Sequence, residues 1–452
     1  MARQRRRKKH APQPLVHPHA AGIDCGATEH FVAVPPDRDP QPVRWFRTFT
    51  ADLHALADWL DQCGIDTVAM ESTGVYWIPL FEILEARGFK TYLVEPGKIK
   101  NAPGRKTDVV DCQWMQQLHS CGLLAASFRP AADICILRSY MRQRDMLVRY
   151  AAQHVQHMQK ALMEMNVQLH HVIDDILSVT GTRIIEAILA GERDAATLAG
   201  MRDERCKQDE PPIARALQGN GRDDHLFALQ QAYALYHFYH GQWAEVDARV
   251  EAYLHTFEDK SEGQTRPERR RGRRRKPKRN EPTFDLSTLL YRMTSVDLTT
   301  IDGIGGHLAL SIISEIGIDM SPWKSDKHFA SWLCLAPGNH QSGGKQHRSK
   351  SGTRPRSNRA AQDFHLAALA VSRSDTALGA FYRRLRARIG SPKAITATAH
   401  KIAKIVSNML KHGKAYVDRG VQYYEEQYRH RVVKNLHRRA EQLGFTLHPK
   451  VA

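Results

Sequence analysis

The sequence has seven cysteines, at positions 25, 63, 112, 121, 135, 206 and 334, but it contains no Cys-x-x-Cys pair. Cysteines paired at that spacing are typical of structural zinc sites and of redox motifs, so their lack disfavours both. Scattered cysteines also argue against a disulfide framework. The cysteine pattern therefore predicts a protein of a reducing compartment.

Long hydrophobic runs are missing as well. No apolar stretch approaches the ~20 residues that a membrane-spanning helix needs, and none follows the basic N-terminus as a signal peptide requires. A phosphate-binding P-loop and a G-x-S-x-G elbow are also lacking, which disfavours nucleotide hydrolysis and a serine-hydrolase triad. We expect a soluble, intracellular protein without a membrane partner.

Acidic residues are fewer than basic ones, 48 against 66, which gives a formal net charge of +18. Residues 3–9 carry six positive charges, and residues 266–279 carry ten positive charges and one negative charge. Removing both runs leaves +3 for the rest of the chain. Such runs repel themselves and exchange counterions with a polyanion, so two arginine-rich runs favour a nucleic-acid partner over a merely solubilising role.

The N-terminal third shows three successive strand patterns and then alternating helices and strands. The strand patterns occupy residues 20–26, 31–35, 43–49, 66–71 and 90–95, and the helical patterns occupy 52–62, about 77–87 and about 107–121. Three strands followed by alternation predict an α/β domain with a mixed sheet, in a ribonuclease-H-like layout.

The middle of the chain is predicted to be helical. From Val148 to Ile176, apolar residues recur alternately three and four positions apart, as in the seam of a coiled coil. A second seam from Leu226 to Phe257 is weakened by His240 and Asp247. The two helices fit an antiparallel hairpin, an oligomerisation arm or a plain spacer, and the pattern does not choose among these.

Four carboxylates stand where a ribonuclease-H-like sheet gathers its metal ligands. Asp24 ends the first strand in GIDCG, Glu71 ends the fourth strand in MESTG, and Asp108 and Asp111 begin a helix in KTDVVD. Each alone is as well explained as a turn or helix-cap residue. Together they would repel one another unless a cation held them, and oxygen ligands select a hard ion. We predict a Mg²⁺ site, with Mn²⁺ as the alternative, of the kind that catalyses phosphoryl transfer.

Glycines flank Asp24 on both sides in GIDCG. Because glycine has no side chain, we interpret them as letting a ligand approach the backbone beside this carboxylate.

The C-terminal third carries a second constellation. Residues 299–317 place Gly303 and Gly305 in a Gly-x-Gly turn typical of a helix-hairpin-helix, whose N–H groups would face a phosphate, although a short helix connection looks the same. Ser342 lies beside a glycine and close to positive charge, which suits a nucleophile toward phosphorus, although most Ser-Gly pairs are turns. The nearby cations predicted to contact nucleic acid are Lys345, Arg348, Lys350, Arg354 and Arg356.

The segments GIDCG, MESTGVYW, KTDVVD and IDGIGG…LAPGNHQSGGK together resemble the DEDD transposases of the insertion-sequence one-hundred-ten family, whose relatives include the Piv and MooV invertases. The resemblance covers essentially residues 20–420, and the four motifs follow one another in the family's order. It implies that Asp24, Glu71, Asp108 and Asp111 form the metal-binding tetrad and that Ser342 is the catalytic serine.

The resemblance also implies an activity and partners. Such a transposase uses its serine to attack a DNA phosphodiester, forming a covalent phosphoserine, while Mg²⁺ at the tetrad activates the reaction. It binds donor and target DNA together with a noncoding bridge RNA that pairs with both. Homodimers pair into homotetramers through the coiled coil, and two protomers share an active site. Its expected location is the bacterial cytoplasm, in association with the nucleoid.

The resemblance gives an α/β plus α architecture with a predicted domain order. The expected parts are a basic tail (1–20), a RuvC-like, that is ribonuclease-H-like, catalytic domain (21–130), a long coiled-coil domain (131–258) with a helical insert (179–222), an arginine-rich linker (259–282), a mainly helical transposase domain with the helix-hairpin-helix and the catalytic serine (283–430), and a basic extension (431–452). The insert and the linker depart from the family's pattern.

Two other functions compete with an RNA-guided recombinase. A protein-guided invertase or a junction-cleaving nuclease would keep the same chemistry, and a transcript that copurifies with the protein would argue against both. A non-enzymatic nucleic-acid-binding protein would use the basic runs alone. That protein would need neither a metal ion nor Asp24.

Overall fold

The structure is a computed structural model. It describes residues 15–72, 74–99, 107–267, 279–337, 341–342, 345–346 and 358–448. The chain divides into two compact units, Met1–Arg129 and Pro130–Ala452, called here the N-terminal and the C-terminal unit. No helix in the described part of the chain is long and apolar enough to cross a membrane.

The N-terminal unit contains one sheet and the helices that pack on it. Its elements are β1 (Ala20–Cys25), β2 (Glu29–Ala33), β3 (Val43–Arg47), α1 (Thr50–Gln62), β4 (Thr67–Glu71), α2 (Trp77–Ala86), β5 (Lys90–Val94), α3 (Pro96–Ile99) and α4 (Asp108–Ser120). The predicted strands and helices are all present, and the largest shift is in β2, which begins and ends two residues before the predicted range.

The sheet is mixed, as the sequence predicts. Its strand order is β3-β2-β1-β4-β5. Strand β2 runs antiparallel to both β1 and β3, whereas β1, β4 and β5 run parallel to one another. This order puts β1 and β4 side by side at the centre of the sheet, so the residues that end these two strands meet at one edge.

Helices cover the sheet on both faces because successive strand residues point to opposite sides. One face packs on α1 and α2 and contains Ile23 and Met70 in its core. The other face packs on α4, and its core includes Ala69 and Met115. Two buried faces explain why β1 and β4 are almost continuously apolar until their last residues.

The C-terminal unit is almost entirely helical. Its helices are α5 (Ala132–Glu164), α6 (Leu169–Val172), α7 (Val179–Leu189), α8 (Ala195–Gly200), α9 (Glu210–Ala216), α10 (Asp223–Leu254), α11 (Leu286–Thr294), α12 (Gly306–Ile316), α13 (Asp326–Trp332), α14 (Arg359–Val371), α15 (Ala377–Ile389), α16 (Ser391–His412) and α17 (Gly420–Gln442). Two short strands, β6 (Gln341–Ser342) and β7 (Lys345–Gln346), form a hairpin.

The long helices α5 and α10 pack as an antiparallel pair. Arg144 near the start of α5 contacts Asp247 near the end of α10, and Glu164 at the end of α5 contacts His225 near the start of α10. The structure thus shows the antiparallel hairpin that was one of the arrangements fitting the two predicted helices.

The predicted seam is wrong beyond α5. The helix ends at Glu164, and the chain turns at Asn166, which has a φ of 60°. Leu169 and Ile176, which the repeat places on the same helix, instead join the core formed with the short helices α6 to α9. Spacing alone could not separate these cases, because buried residues of a small helical bundle recur at the same intervals as those of one long helix.

A buried ion pair explains why Asp247 interrupts the apolar seam of the second long helix, α10. Both oxygens of Asp247 accept hydrogen bonds from Arg144, at 2.5 and 3.0 Å, and the Arg144 side chain is only 2% exposed. The same guanidinium donates to the Asn280 carbonyl at 2.9 Å and contacts Nε2 of His307 at 3.0 Å. Burial, followed by the charge of Arg144, lowers the pKa of His307, so the ring is neutral and accepts the bond.

We expect Arg144→Ala to destabilise the C-terminal unit by about 3–5 kcal/mol, because it leaves the carboxylate of Asp247 buried without its cation. Urea unfolding followed by circular dichroism would measure the loss. The double variant Arg144→Met with Asp247→Leu is the control and should recover most of the stability, since apolar side chains need no partner. A double variant as unstable as the single one would contradict the ion-pair explanation.

The last helix extends the folded region beyond the predicted boundary. Helix α17 continues to Gln442, so the boundary predicted at residue 430 falls within it. Arg384 of α15 forms an ion pair with Glu425 and lies over the rings of Tyr424 and Tyr428, which attaches the first half of α17 to the unit.

Candidate active site

Two of the predicted metal ligands end neighbouring parallel strands. The register pairs Ile23 of β1 with Met70 of β4, so the next residues, Asp24 and Glu71, are adjacent at the end of both strands. They lie on the sheet face that packs on α4, because Ile23 and Met70 point into the opposite core. Both carboxylates are partly exposed.

Helix α4 brings the other two carboxylates to the same edge. Thr67 at the start of β4 contacts His119 near the end of α4, whereas Gly22 in the middle of β1 lies against Cys112 and Gln116, which are nearer the start of α4. The helix therefore runs antiparallel to these strands, and its first turn lies at the strand ends. That turn carries Asp108 and Asp111.

A threonine cap fixes the start of this helix. The side-chain oxygen of Thr107 accepts a hydrogen bond from the Val110 backbone N–H at 3.3 Å, and its carbonyl accepts one from the Asp111 N–H at 2.9 Å. These bonds satisfy donors that a helix start leaves free. The cap sets where α4 begins and so positions Asp108 and Asp111.

Burial and the negative charge at this edge raise the pKa of two cysteines. Burial raises the pKa of Cys112 to about 12, and the charges of Asp24 and Asp111 contribute to the rise. Burial also raises the pKa of Cys25 strongly, with contributions from Asp24 and Glu71. The charges of three predicted ligands thus act on these two thiols, which stay protonated and are unsuited to nucleophilic attack.

The glycines beside Asp24 have a different role from the one that the sequence suggests. A Cβ on Gly22 would lie 2.3 Å from the Gln116 nitrogen and 2.5 Å from the Cys112 carbonyl oxygen, so this glycine lets the α4 backbone touch the sheet. A Cβ on Gly26 would lie 2.6 Å from the Glu29 carbonyl oxygen, within the β1–β2 turn. The interpretation of these glycines as a ligand approach is wrong.

Within the described residues, no three or more His, Cys, Asp or Glu side chains have the spacing of a metal site. The donor set nevertheless fits a hard divalent ion, because it supplies carboxylate oxygens from two strands and one helix turn. The backbone gathers the tetrad at one edge. The ligand set itself stays a prediction.

Ser342 lies in the C-terminal unit, where the structure describes its backbone. It ends β6, and the register pairs it directly with Lys345 of β7. Two residues, 343 and 344, connect the strands. The hairpin therefore places the predicted nucleophile and one predicted cation at the same register position. The other predicted contacts of this segment, Arg348, Lys350, Arg354 and Arg356, lie outside the described residues.

Gly303 and Gly305 precede α12. Gly303 has a φ of 89°, and a Cβ there would lie 2.4 Å from the Ala367 carbonyl oxygen, so close packing on α14 requires glycine. Gly305 is the N-cap residue of α12. Both glycines line a cleft of about 810 Å³ that also contains Asp363.

The sequence gives no sign of this cleft. Asp363 accepts a hydrogen bond from Ser311 at 2.7 Å. Its burial, together with Asp145 and Glu315, raises the pKa of this carboxyl to about 7. Only folding brings these residues together, because the three acidic side chains come from helices α5, α12 and α14.

Two family models match the chain. The DEDD_Tnp_IS110 model, described as a transposase, matches residues 21–167, which include all four carboxylates. The model described as the transposase IS116/IS110/IS902 family matches residues 296–383, which include Gly303, Gly305 and Ser342. A search of curated proteins finds no match.

The two matches define the protein as a transposase. The matched segments cover more than half of the chain and occur in the expected order, and the chain belongs to the IS110 family of transposases. Proteins of this class cut and rejoin DNA, so DNA is its substrate.

Proposed function

We propose that this transposase is a recombinase that uses a divalent metal ion and a covalent phosphoserine intermediate, and that a noncoding bridge RNA selects its DNA. The observation that carries the metal-dependent part is the edge of the sheet where Asp24, Glu71 and the first turn of α4 come together. Phosphoryl transfer is the reaction that such a carboxylate site serves best.

The ribonuclease-H-like fold of the N-terminal unit is part of this proposal. The strand order β3-β2-β1-β4-β5, with β2 antiparallel to its neighbours, and the helices on both faces support it. In such a sheet the central strands β1 and β4 carry the first ligands at their ends.

Asp24, Glu71, Asp108 and Asp111 would hold Mg²⁺, with Mn²⁺ as the alternative. When bound, this ion stabilises negative charge that develops on the phosphate oxygens. The chain contributes the position of its ligands, because backbone hydrogen bonds fix strands β1 and β4 and the Thr107 side chain caps the first turn of α4. Ligands held in this way lose little entropy when the ion binds.

Ser342 supplies the nucleophile in this proposal. Its hydroxyl oxygen forms a bond to phosphorus, the bond from phosphorus to one deoxyribose oxygen breaks, and the serine proton is lost while the departing oxygen gains one. In the second step a hydroxyl of the other DNA strand attacks the phosphoserine and releases the serine. Lys345, opposite Ser342 in the hairpin, and the cations that follow it would hold the phosphate backbone.

The proposal has several further parts, which membership of the family supports. Gly303 and Gly305 would contact a DNA or RNA phosphate as part of a helix-hairpin-helix. The pair of α5 and α10 would act as a coiled coil through which homodimers assemble into homotetramers, so that the N-terminal and serine-bearing parts of two protomers complete one active site. The predicted domain boundaries, apart from the one at residue 430, and a location at the bacterial nucleoid also belong to this proposal.

Removal of divalent metal ions should abolish strand cleavage. The test combines the full-length protein, DNA of its element ends and the noncoding RNA encoded beside its gene. With Mg²⁺ we expect a covalent protein–DNA adduct on a denaturing gel. Chelation should remove the adduct, and added Mg²⁺ or Mn²⁺ should restore it, since a metal ion contributes several kcal/mol to phosphoryl transfer.

The other outcomes separate the competing functions. An adduct that persists under chelation would rule out the metal-dependent site. An adduct that forms equally well without the RNA would favour a protein-guided invertase. Binding to nucleic acid with no cleavage under any of these conditions would favour a non-enzymatic protein.

A further inference from the structure

Strand β3 presents a row of side chains on the same face of the sheet as the predicted metal site. Asp24 of β1 pairs with Phe31 of β2, and Phe31 pairs with Trp45 of β3. Residues directly opposite one another in antiparallel strands point to the same face. Trp45 therefore lies on the carboxylate face, two strands away from Asp24.

In the described part of the chain, the sheet face around Trp45 is open to solvent. Helix α4 packs mainly on β1, β2 and β4, and β3 is the edge strand beyond them. The Trp45 side chain is consequently 55% exposed. Arg47, two residues further along the same face, is also exposed. An exposed tryptophan and an exposed arginine thus stand side by side on the open part of the carboxylate face.

The strand that carries Trp45 is firmly held, so the exposure does not come from a loose edge. On the opposite face, Phe46 packs against Trp59 of α1 with ring centroids 5.7 Å apart. Arg44 lies over the same Trp59 ring at 4.9 Å and binds Asp39 through an ion pair. The backbone therefore fixes the direction of Trp45 and Arg47 relative to Asp24.

The chemistry of this pair fits an unpaired nucleotide. An indole can stack on any nucleobase that is not paired within a double helix, and a guanidinium can bind two oxygens of one phosphate. Adjacent strands are about 4.8 Å apart, so Trp45 lies about 10 Å from Asp24, a distance that a few nucleotides of one strand cover at about 3.4 Å each.

We infer that Trp45 and Arg47 form a binding site for the nucleotides that flank the phosphodiester held at the carboxylate edge. The base of an unpaired nucleotide stacks on Trp45, and a neighbouring phosphate pairs with Arg47. The site positions the strand and is tolerant of sequence, because every base has a face that can stack. This inference rests on the proposed function, since it takes the carboxylate edge as the place of cleavage.

The test measures binding apart from cleavage. Full-length protein with Asp24→Asn is titrated into a short single-stranded DNA that carries one fluorescent adenine analogue, whose emission falls when it stacks. In this background we expect Trp45→Ala to weaken binding about ten-fold and to remove the quenching, whereas Trp45→Phe should keep most of both. Arg47→Gln should weaken binding and lower its salt dependence, and Arg47→Lys should restore part of each.

Leu123→Ala is the matched control, because Leu123 is a similarly exposed apolar residue, at 60%, in the same unit. It should leave affinity and quenching unchanged. The inference would be overturned if the Asp24→Asn protein with Trp45 intact did not quench the fluorescent base. It would also be overturned if the quenching persisted after Trp45→Ala. So would a Trp45→Ala protein that elutes as a smaller assembly in size-exclusion chromatography with unchanged DNA affinity, since the face would then contact a second copy. Neither readout needs cleavage, so failure of the metal-dependent function is detected separately.

Discussion

Replacing Asp24 with Asn is expected to reduce DNA cleavage by roughly a thousand-fold or more, because a bound metal ion contributes several kcal/mol to phosphoryl transfer. Asn keeps the size of the side chain but removes its charge. The residue lies near the end of β1 beside Glu71, so the change removes one of two adjacent predicted ligands. Gel-based quantification of cleaved DNA over time would measure the loss.

The Asp24→Asn protein should remain folded and should keep its affinity for nucleic acid. Asp24 is partly exposed at the end of its strand, and the neighbouring core residues are unchanged. Asp37→Asn is the control, because Asp37 is a well-exposed carboxylate of the same unit with a side chain 77% exposed. Equal cleavage by the Asp24→Asn and wild-type proteins would refute the tetrad.

The second large effect is expected for Ser342→Ala. The covalent protein–DNA adduct should disappear completely, and strand exchange should fall to the background level, because loss of a covalent nucleophile costs roughly 10⁶-fold in rate. Ser342 ends β6 in the hairpin, where alanine forms the same backbone pairs. The reaction would be stopped without protease treatment, so that the protein stays attached to the DNA. The adduct would then be detected by its reduced mobility on a denaturing gel.

Ser351→Ala provides a matched control for the serine assignment. Ser351 also precedes a glycine, and it lies in the basic segment between Lys345 and Arg359 that follows Ser342. The adduct should form normally in this variant. If the adduct survives Ser342→Ala and is lost in Ser351→Ala, the nucleophile has been assigned to the wrong serine.

The two variants also distinguish the two halves of the proposed chemistry. Asp24→Asn removes a predicted metal ligand in the N-terminal unit, and Ser342→Ala removes the predicted nucleophile in the C-terminal unit. If two protomers share an active site, mixing the two inactive proteins should restore part of the activity, since one mixed site would then have an intact carboxylate edge and an intact serine.

Much of the fold could be predicted because its signals are local. Strands β1 and β4 are buried on both faces, so each is a short apolar run with a carboxylate at or next to its last residue. The start of α4 follows from Thr107, a cap residue, and from acidic residues in the first turn. Contacts within a few residues determine these features, so the sequence is sufficient to find them.

Other features depend on residues that are far apart in the chain. In the sequence, Asp247 is a polar residue in a largely apolar seam, and its partner Arg144 is more than a hundred positions away. The end of α5 and the turn at Asn166 are not visible in the sequence, because the apolar spacing continues through them. Neither could be predicted, since the pattern within one segment carries no information about the side chains that pack against it.

The sequence by itself determined the order of the motifs and which residues are candidates for the chemistry, because residue type and spacing can be read directly from the chain. The tertiary structure alone decided how they meet. Helix α4 runs antiparallel to β1 and touches the sheet at Gly22, which puts Asp108 and Asp111 at the edge where Asp24 and Glu71 end their strands. The register of the sheet also placed Trp45 on that open face, since side-chain direction depends on pairing between strands.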